Sequence, residues 1–395
     1  MIGAHSVLVL QPKVVWGSKK PSDTSAELML EESCALVRTL PDWRVSACEL
    51  VSVKYEIDRS QVFGSGNLQK ISCKVAGDAS ITAIFVNIDV LTPVQQTELS
   101  AAFRKPVYDR YQIVLTIFKT FAKSRLAKLH VAAAEMPYVA ARLRELTIGA
   151  IPDTLNALDY LGGHGFKILE ERADMFKKRE SYLKKVLVQV RKTRERTHEQ
   201  IRKNYPLVAV IGYTNSGKTS LVNCLTKSLR EKEPENLQPK DRLFATLDCA
   251  MFMGQLPISR IKAGFADTVG FVADIPASLI ACFEATLDYI RHASLLIHVM
   301  DITHPDAKLQ QITVHSTLKK MNLPSELLKN MIEVHNKVDK AGRIEVQSLS
   351  NTTLDVSCVT GTGIPRLQQE IDNIIKIVDK FITVRLKVPN GGEQL

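Results

Sequence analysis

The stretch that decides the fold runs from Pro206 to Thr219 and reads PLVAVIGYTNSGKT. Its first part, Leu207 to Ile211, is an unbroken apolar run, typical of a strand buried on both faces of a parallel sheet. Its second part, Gly212 to Thr219, has the spacing G-x-x-x-x-G-K-T, and a helical pattern follows directly. Strand, glycine-rich loop and helix in this order predict a phosphate-binding loop.

Each part of this loop has a chemical role in holding phosphate. Its glycines let backbone N–H groups surround the phosphate oxygens, and the following helix adds the positive end of its dipole. We predict that Lys218 reaches the β- and γ-phosphates and that the Thr219 hydroxyl binds Mg²⁺. The predicted nucleotide contacts in this segment are Gly212, Tyr213, Thr214, Asn215, Ser216, Gly217, Lys218, Thr219 and Ser220.

A second motif, N-K-V-D at Asn336–Asp339, follows an apolar strand predicted at Met331–His335. A carboxylate at Asp339 can accept hydrogen bonds from N1–H and the exocyclic amine of guanine, whereas adenine offers neither donor there. The end of a parallel strand is also where ligands bind in such sheets, which favours a guanine-reading loop over a plain turn. The predicted base and sugar contacts are Asn336, Lys337 and Asp339, with Ser357 and Cys358 after a later short strand.

Two segments between these motifs are predicted to surround the γ-phosphate and the metal ion. In D-T-V-G at Asp267–Gly270, we expect Asp267 to hold Mg²⁺ and the Gly270 N–H to face the γ-phosphate. In F-A-T-L-D at Phe244–Asp248, Thr246 is the candidate second Mg²⁺ ligand. Loops that order around a γ-phosphate and relax after hydrolysis make a switch. The candidate catalytic residues are Lys218, Thr246 and Gly270; the metal ligands are Thr219, Thr246 and Asp267; the remaining contacts are Phe244, Ala245, Leu247, Asp248, Thr268 and Val269.

Two positions bear on the rate of hydrolysis. Phe271 stands where many small GTPases keep a Gln that orients the attacking water, and a phenyl ring cannot do this. We therefore predict slow intrinsic hydrolysis that depends on a partner. The amide oxygen of Asn215 can help to hold a monovalent cation beside the phosphates, or it can make a hydrogen bond within the loop; both interpretations stay open.

The rest of the chain separates into further regions. Residues 1–125 predict an α/β N-terminal domain, and residues 205–385 alternate strands and helices as in a mostly parallel, doubly wound nucleotide-binding domain. Residues 386–395 are expected to form a C-terminal tail. In the first region we predict strands at Ser6–Leu10, Ile81–Ile88 and Ile113–Ile117, and helices at Ala26–Leu40 and Pro93–Phe103.

Residues 126–204 predict a basic helical hairpin whose tip lies at Thr147–Gly165. From Lys167 to Lys203 there are 13 Lys and Arg against 6 Asp and Glu, so this segment holds +7 of the net charge of +10. Such a stripe attracts polyanions such as nucleic acid, although a solvated helix face explains the charge equally well. A coiled-coil seam is indicated by the seven-residue spacing of Leu169, Phe176, Leu183 and Val190, with Ala173 and Leu187 between them.

Composition excludes several classes of protein. With 395 residues, 45% hydrophobic and 24% charged, the chain is expected to fold into two or three domains rather than to be disordered. No apolar run reaches the roughly 18 residues that a membrane span needs. The seven cysteines include no C-x-x-C pair and no His cluster accompanies them, so no zinc site is predicted and a reducing compartment is expected. No secretory signal pattern is present, and we expect a monomer that does not bind DNA.

Five segments in order resemble the HflX-type GTPases, and the likeness is closest to the eukaryotic GTP-binding protein 6 branch, whose members are mitochondrial. They are GYTNSGKT at Gly212–Thr219, DRLFATLD at Asp241–Asp248, DTVGF at Asp267–Phe271, HNKVDK at His335–Lys340 and VSC at Val356–Cys358. The resemblance covers about residues 80 to 385 and includes Val107–Arg110 in the first region.

This resemblance implies GTP as substrate with Mg²⁺, hydrolysis supported by K⁺, and GTP-dependent binding to the large ribosomal subunit and its rRNA. In several members of the family, binding separates ribosomes into subunits. It also implies a mitochondrial location, while the cysteine usage alone leaves a mitochondrial or cytoplasmic location open. The family's Gly-Pro-Gly-Glu loop is represented only by Gly162–Phe166, and its C-terminal domain is not recognisable, so we expect a smaller ribosome contact. The alternative is a GTP-loaded RNA- or ribosome-binding factor with little hydrolysis of its own.

Overall fold

The computed structural model describes residues 4–14, 25–53, 62–149, 174–190, 192–193, 205–226, 250–268, 270–271, 288–321, 323–340, 352–379 and 381. Two largely parallel sheets organise these residues, which confirms the predicted α/β class. The extents of the four predicted regions stay a prediction.

The first sheet has four parallel strands in the order β2-β1-β3-β4. In the central strand, Val7 and Val9 pack into one hydrophobic core and Leu8 and Leu10 into another, because successive side chains point to opposite faces. Helices therefore cover both faces. The elements are β1 (His5–Val14), α1 (Ala26–Thr39), β2 (Trp43–Val53), α2 (Ser65–Gly77), β3 (Ala83–Val86), α3 (Pro93–Phe103), β4 (Val107–Tyr108) and α4 (Arg110–Phe121).

The strand predicted at Ile113–Ile117 is wrong, because these residues lie inside α4. Asp109 caps this helix by accepting a hydrogen bond from the backbone N–H of Gln112, whose side chain bonds back to the N–H of Asp109. This capping box fixes the start of the helix. Ile113 and Ile117 are then buried on one helical face, so tertiary burial overrides the strand preference of a β-branched run.

The predicted hairpin region is helical wherever the structure describes it. Helix α5 runs from Arg125 to Gly149, and residues 174–190 are also helical. In the latter, Leu183 is buried and Phe176, Leu187 and Val190 are half-buried, so the predicted seam is the inner row of this helix. Leu169, Ala173 and residues 150–165 of the predicted tip lie outside the described residues. None of the described helices is both long and apolar enough to cross a membrane.

The second sheet has six strands in the order β10-β9-β8-β5-β7-β6, and only the edge pair β6 and β7 is antiparallel. Ala209 and Ile211 face one core and Val208 and Val210 the other, so β5 is buried on both sides as its apolar run predicted. The elements are β5 (Leu207–Gly212), α6 (Lys218–Thr226), β6 (Ala250–Gln255), β7 (Lys262–Asp267), α7 (Asp288–Arg291), β8 (Leu295–Asp301), α8 (Ala307–Lys320), α9 (Ser325–Lys329), β9 (Ile332–Asn336), β10 (Thr352–Asp355) and α10 (Ile364–Val378).

Candidate nucleotide-binding site

The loop between β5 and α6 packs closely against the ends of neighbouring strands. Gly212 has φ +151° and Gly217 has φ +99°, conformations that side chains with a Cβ rarely adopt. A Cβ on Gly212 would lie 2.2 Å from the carbonyl oxygen of Val299, and one on Gly217 would lie 2.2 Å from Nδ2 of Asn336. Both glycines of the motif are therefore required by the fold of this loop.

Lys218 begins α6, and its ammonium group points back over the loop. Its Nζ donates hydrogen bonds to the carbonyl oxygens of Gly212 at 3.2 Å and Tyr213 at 2.7 Å. Burial lowers the pKa of Lys218 to about 8, an effect opposed by the charge of Asp267 and increased by Lys337. A negatively charged ligand above this loop would lie close to a buried ammonium group whose charge is only partly neutralised by neighbouring residues. Such a charge favours the binding of phosphate.

Two hydroxyl groups of the loop are also suited to a polar ligand. Oγ1 of Thr214 and Oγ of Ser216 are buried and have no hydrogen-bond partner in the described part of the chain. Buried polar atoms of this kind are costly unless something binds them, so they fit a ligand that carries oxygen atoms. Asn215 is exposed with φ +61°, and Ser220 lies in the first turn of α6.

The two predicted metal ligands that the structure describes lie together. Oγ1 of Thr219 is 2.8 Å from Oδ2 of Asp267, which ends β7 next to β5. Adjacent ligand oxygens of an octahedral Mg²⁺ are separated by about 2.9 Å, so this pair of hard oxygen donors fits one edge of such a site. Thr246, the third predicted ligand, lies outside the described residues, as do Phe244, Ala245, Leu247 and Asp248.

The D-T-V-G segment is fixed against the loop. Thr268 Oγ1 donates to the carbonyl oxygen of Val210 at 2.7 Å. A Cβ on Gly270 would lie 2.7 Å from Thr214 Cγ2 and 2.9 Å from Nζ of Lys218, so only glycine fits there. Gly270 thus borders the same space as the lysine ammonium. Val269 lies outside the described residues.

Phe271 is a structural residue of this loop. Its ring is 1% exposed and belongs to a hydrophobic core that also contains Tyr213. Its backbone N–H donates to the Gly212 carbonyl at 3.0 Å, and its carbonyl accepts from the N–H of Thr214 at 2.7 Å. The phenyl ring therefore points into the protein and not toward the phosphate-binding space.

The N-K-V-D segment is tied to the phosphate-binding loop by side chains. Asn336 Nδ2 donates to the carbonyl oxygen of Ser216 at 2.9 Å. Lys337 Nζ donates to the carbonyl oxygen of Asn215 at 2.9 Å and pairs with Oδ2 of Asp301 at 2.6 Å. These contacts fix the distance between the end of β9 and the loop after β5.

Asp339 is exposed, and its carboxylate is oriented by a neighbouring segment. Oγ of Ser357 donates to Oδ1 of Asp339 at 2.6 Å, and this bond lowers the pKa of Asp339. The backbone N–H of Cys358 donates to Oδ1 of Asn336 at 3.4 Å. An ionised carboxylate held at the surface offers the two acceptor oxygens that the predicted contact with guanine needs.

Two residues that matter here were not predicted from the sequence. Asp301 ends β8 and holds Lys337; burial raises its pKa, but the Lys337 ammonium and the Thr303 hydroxyl outweigh burial and lower it. Ligands bind at the carboxyl ends of parallel strands, so the position of Asp301 at the end of β8 could have identified it from the sequence. Glu32 on α1 accepts a 2.8 Å hydrogen bond from the Tyr213 hydroxyl, and no local pattern marks it.

The parallel sheet, the glycine-rich loop with its buried lysine and the exposed carboxylate after β9 define a P-loop GTPase. Two family models match the chain: residues 207–337 match the 50S ribosome-binding GTPase family, and residues 27–119 match the GTP-binding GTPase N-terminal family.

Curated relatives extend this likeness across the whole chain. It is 38% identical over 394 residues to "Putative GTP-binding protein 6" of Xenopus laevis, covering all of this chain and 73% of that protein. It is 36% identical to the human protein of the same name, covering all of this chain and 74% of that one. It is 31% identical to GTPase HflX of Magnetococcus marinus over 97% of this chain and 84% of that protein. The chain belongs to the HflX-type GTPase family and is a GTP-binding protein.

A solved structure agrees with the fold. The crystal structure of the SsGBP complex with GDP superposes with a TM-score of 0.51 at 21% identity, covering 94% of this chain and 99% of that one.

Proposed function

We propose that this chain hydrolyses GTP to GDP and phosphate in a reaction that the large ribosomal subunit accelerates. The observation that carries the proposal is the buried ammonium of Lys218, which lies 2.7 Å from the Tyr213 carbonyl of the glycine-rich loop and beside Gly270. This arrangement provides positive charge where negative charge increases during phosphoryl transfer.

Each described residue then has a role in holding the substrate. Lys218 and the loop N–H groups bind the β- and γ-phosphates, and Thr219 with Asp267 holds Mg²⁺, which neutralises phosphate charge when bound. Thr246 is proposed as the further ligand of that ion and as a contact of the γ-phosphate. Asp339 reads guanine, while Ser357 orients its carboxylate. Val269, Phe244, Ala245, Leu247 and Asp248 are proposed to complete the contacts around the nucleotide.

The buried ring of Phe271 supports slow intrinsic hydrolysis, because the side chain at this position cannot orient a water molecule. The exposed Asn215 carries a side-chain oxygen beside the loop, where it is proposed to help to hold K⁺. A partner that repositions the neighbouring loops would then set the rate.

The large ribosomal subunit and its rRNA are the proposed partner. On the helical segment 174–190, the side chains of Lys177 and Lys184 are 77% and 71% exposed, while Leu183 faces inward. A helix that is basic on its outer face and apolar on its inner face can neutralise phosphates without losing its packing. The family description that matches residues 207–337 supports the same partner.

Ribosome splitting, recycling or assembly is the proposed cellular task, carried out by a monomer in mitochondria or the cytoplasm. A mitochondrial location is supported by the likeness to the eukaryotic relatives. The proposed architecture is an N-terminal α/β domain at 1–125, a basic hairpin at 126–204, the GTPase domain at 205–385 and a tail at 386–395.

The decisive experiment measures GTP turnover in potassium and in sodium buffer, with and without large ribosomal subunits. We expect subunits to raise the rate and potassium to exceed sodium. Lys218→Ala should remove turnover, and Asp339→Asn should remove the preference for guanine over other bases. If GTP binds but turnover stays at background with subunits present, the hydrolase proposal is wrong.

A second function, a GTP-loaded ribosome-binding factor with little hydrolysis, is favoured by the inward-pointing Phe271. The two functions differ in one observable. If a non-hydrolysable GTP analogue separates ribosomal subunits as well as GTP does over many rounds, hydrolysis is not needed and the chain is a GTP-loaded binding factor. If splitting stops after one round with the analogue, hydrolysis is part of the working cycle.

A further inference from the structure

A buried cluster of two histidines and a glutamate lies in the second sheet, outside the nucleotide-binding residues. His298 on β8 and Glu333 on β9 are direct partners across two parallel strands, so their side chains point to the same face. His315 on α8 packs over that face. Within the described ranges, this is the one group of three such side chains whose donor atoms all lie within 4.8 Å of one another.

One carboxylate oxygen is the centre of this cluster. Oε1 of Glu333 lies 3.0 Å from Nε2 of His315, 3.7 Å from Nδ1 of His298 and 3.1 Å from Nε2 of Gln311. His298 is 1% exposed and Glu333 is fully buried. Two imidazole nitrogens and a carboxylate oxygen therefore converge where water has little access.

His298 brings a buried ring nitrogen to this cluster that is available to a further group. Its Nδ1 has no hydrogen-bond partner in the described part of the chain, because 3.7 Å to Glu333 is too long for one. A buried nitrogen in this state is costly unless a further group binds it.

We propose that His298, His315 and Glu333 bind a divalent cation of the zinc class. Tetrahedral Zn²⁺ with nitrogen and oxygen ligands separates its ligand atoms by about 3.3 Å, a value that lies between the two distances from Oε1 of Glu333 to the histidine nitrogens. Three protein ligands leave a fourth position for water. The Gln311 amide keeps donating to the ligating oxygen, which is how an outer group orients a ligand.

Donor chemistry separates this site from the proposed magnesium site. Thr219 and Asp267 offer only oxygen atoms, which Mg²⁺ prefers, whereas two imidazoles favour zinc and its neighbours in the first transition row. His315 keeps 18% of its side chain exposed and so gives an ion a route from solvent. The proposal does not depend on whether the chain hydrolyses GTP.

The site lies directly behind the phosphate-binding loop. Val299 follows His298 on β8, and its carbonyl oxygen is the atom that forbids a side chain at Gly212. A metal ion that joins β8, β9 and α8 would stabilise the strands on which the loop rests. We therefore expect zinc to raise the melting temperature of the nucleotide-free chain.

The test titrates the chelator-treated full chain with Zn²⁺ in competition with a chromophoric chelator, and with Co²⁺ in an absorbance experiment. We expect one tight Zn²⁺ per chain and the intense visible absorption of four-coordinate Co²⁺. His315→Leu should weaken Zn²⁺ binding by on the order of 100-fold, since it removes a ligand outright. The matched control is His304→Leu, which removes a histidine from the turn before α8 and should leave the affinity unchanged.

Two results would overturn the proposal. One is equal Zn²⁺ affinity in the wild type, His315→Leu and His304→Leu, which would mean adventitious surface binding. The other is a weak, six-coordinate Co²⁺ spectrum in the wild-type chain, a measurement that holds even if a variant fails to fold. In either case the cluster is a hydrogen-bonded buried network without metal.

Discussion

The hydroxyl of Tyr213 donates a 2.8 Å hydrogen bond to Oε2 of Glu32, and this contact joins the phosphate-binding loop to α1 across 181 residues of chain. The other carboxylate oxygen of Glu32 is paired with the buried guanidinium of Arg110. Arg110 follows Asp109, whose carboxylate is bound by Arg142 of α5 at 3.0 Å. These polar contacts, linked by the peptide bond between Asp109 and Arg110, connect the first helix of the proposed hairpin to the glycine-rich loop.

We expect Tyr213→Phe to keep GTP binding but to weaken the stimulation of GTP turnover by large ribosomal subunits. The variant retains the buried ring and loses one hydrogen bond, worth about 1 kcal/mol, to the N-terminal region. Turnover with and without subunits measures the effect. Tyr205→Phe, at an exposed tyrosine near the same strand, is the control. Equal stimulation of both variants would show that the contact does not carry the signal.

Removing the buried carboxylate of Asp109 is predicted to destabilise the first region strongly. This carboxylate accepts hydrogen bonds from the backbone of Leu91 at 3.0 Å, the Tyr138 hydroxyl at 2.9 Å and Arg142. Asp109→Ala would leave the partly buried Arg142 without its carboxylate, so unfolding free energy should fall by about 3 to 5 kcal/mol in a urea titration.

The control for Asp109 is Asp78→Ala, at a half-buried position after α2 whose carboxylate accepts a local hydrogen bond from the Ser80 N–H. Its unfolding midpoint should stay close to that of the wild type. A midpoint for Asp109→Ala that matches the Asp78→Ala midpoint would contradict the prediction and show that the network around Asp109 is replaceable.

GTP binding is predicted to take up protons near pH 8. Burial holds the pKa of Lys218 at about 8 in the nucleotide-free chain, and phosphate charge must raise it on binding. Because the bound form then holds more protons, GTP affinity should fall as the pH rises above 8. Calorimetry at pH 8.5 in buffers of different ionisation enthalpy measures the uptake.

The same titration at pH 6.5 is the internal control, because Lys218 is protonated there in both states. Binding enthalpies that are independent of buffer at both pH values would show that Lys218 keeps its charge without nucleotide. The lowered pKa of Lys218 also affects folding, in the opposite direction to binding. Between pH 8 and the ordinary lysine pKa, the unfolded chain binds more protons than the folded chain. Lys218 therefore makes the free energy of unfolding rise with pH in this range.

Gly270→Ala is predicted to lower GTP turnover more than GDP affinity. The added Cβ would lie 2.7 Å from Thr214 Cγ2 and 2.9 Å from Nζ of Lys218, an overlap that costs about 1 to 3 kcal/mol if the segment stays in place. Displacing the segment would remove Gly270 from the γ-phosphate. Gly77→Ala is the matched control, since a Cβ there meets nothing within 4 Å. Unchanged turnover in Gly270→Ala would refute the proposed role.

Features that depend on residues close together in the sequence were predictable. The apolar run of β5, the glycines after it and the lysine of α6 depend on neighbours in sequence, so the strand, the loop and the helix were predicted correctly. The same reasoning failed at Ile113–Ile117, where the capping box of Asp109 and burial of one helical face outweigh a β-branched run.

Contacts between distant segments were not predictable in the same way. Glu32 and Tyr213 meet only because α1 and the phosphate-binding loop pack against a shared core. The sequence shows no C-x-x-C pair and no cluster of histidines, so no zinc site was predicted, yet paired strands place His298 beside Glu333 and α8 adds His315. Spacing along the chain can identify a proposed site within one segment, but not one whose residues a sheet brings together.

The bond from Asn336 to the backbone of Ser216 has a consequence for how nucleotides bind. It sets the spacing between the carboxylate proposed to read guanine and the phosphate-binding loop when the chain folds, before any ligand arrives. Nucleotide binding therefore does not include the entropic cost of bringing the Asp339 segment and the phosphate-binding loop together. A molecule that carries only guanine, or only phosphates, should find its half of the site preassembled and bind it independently of the other half.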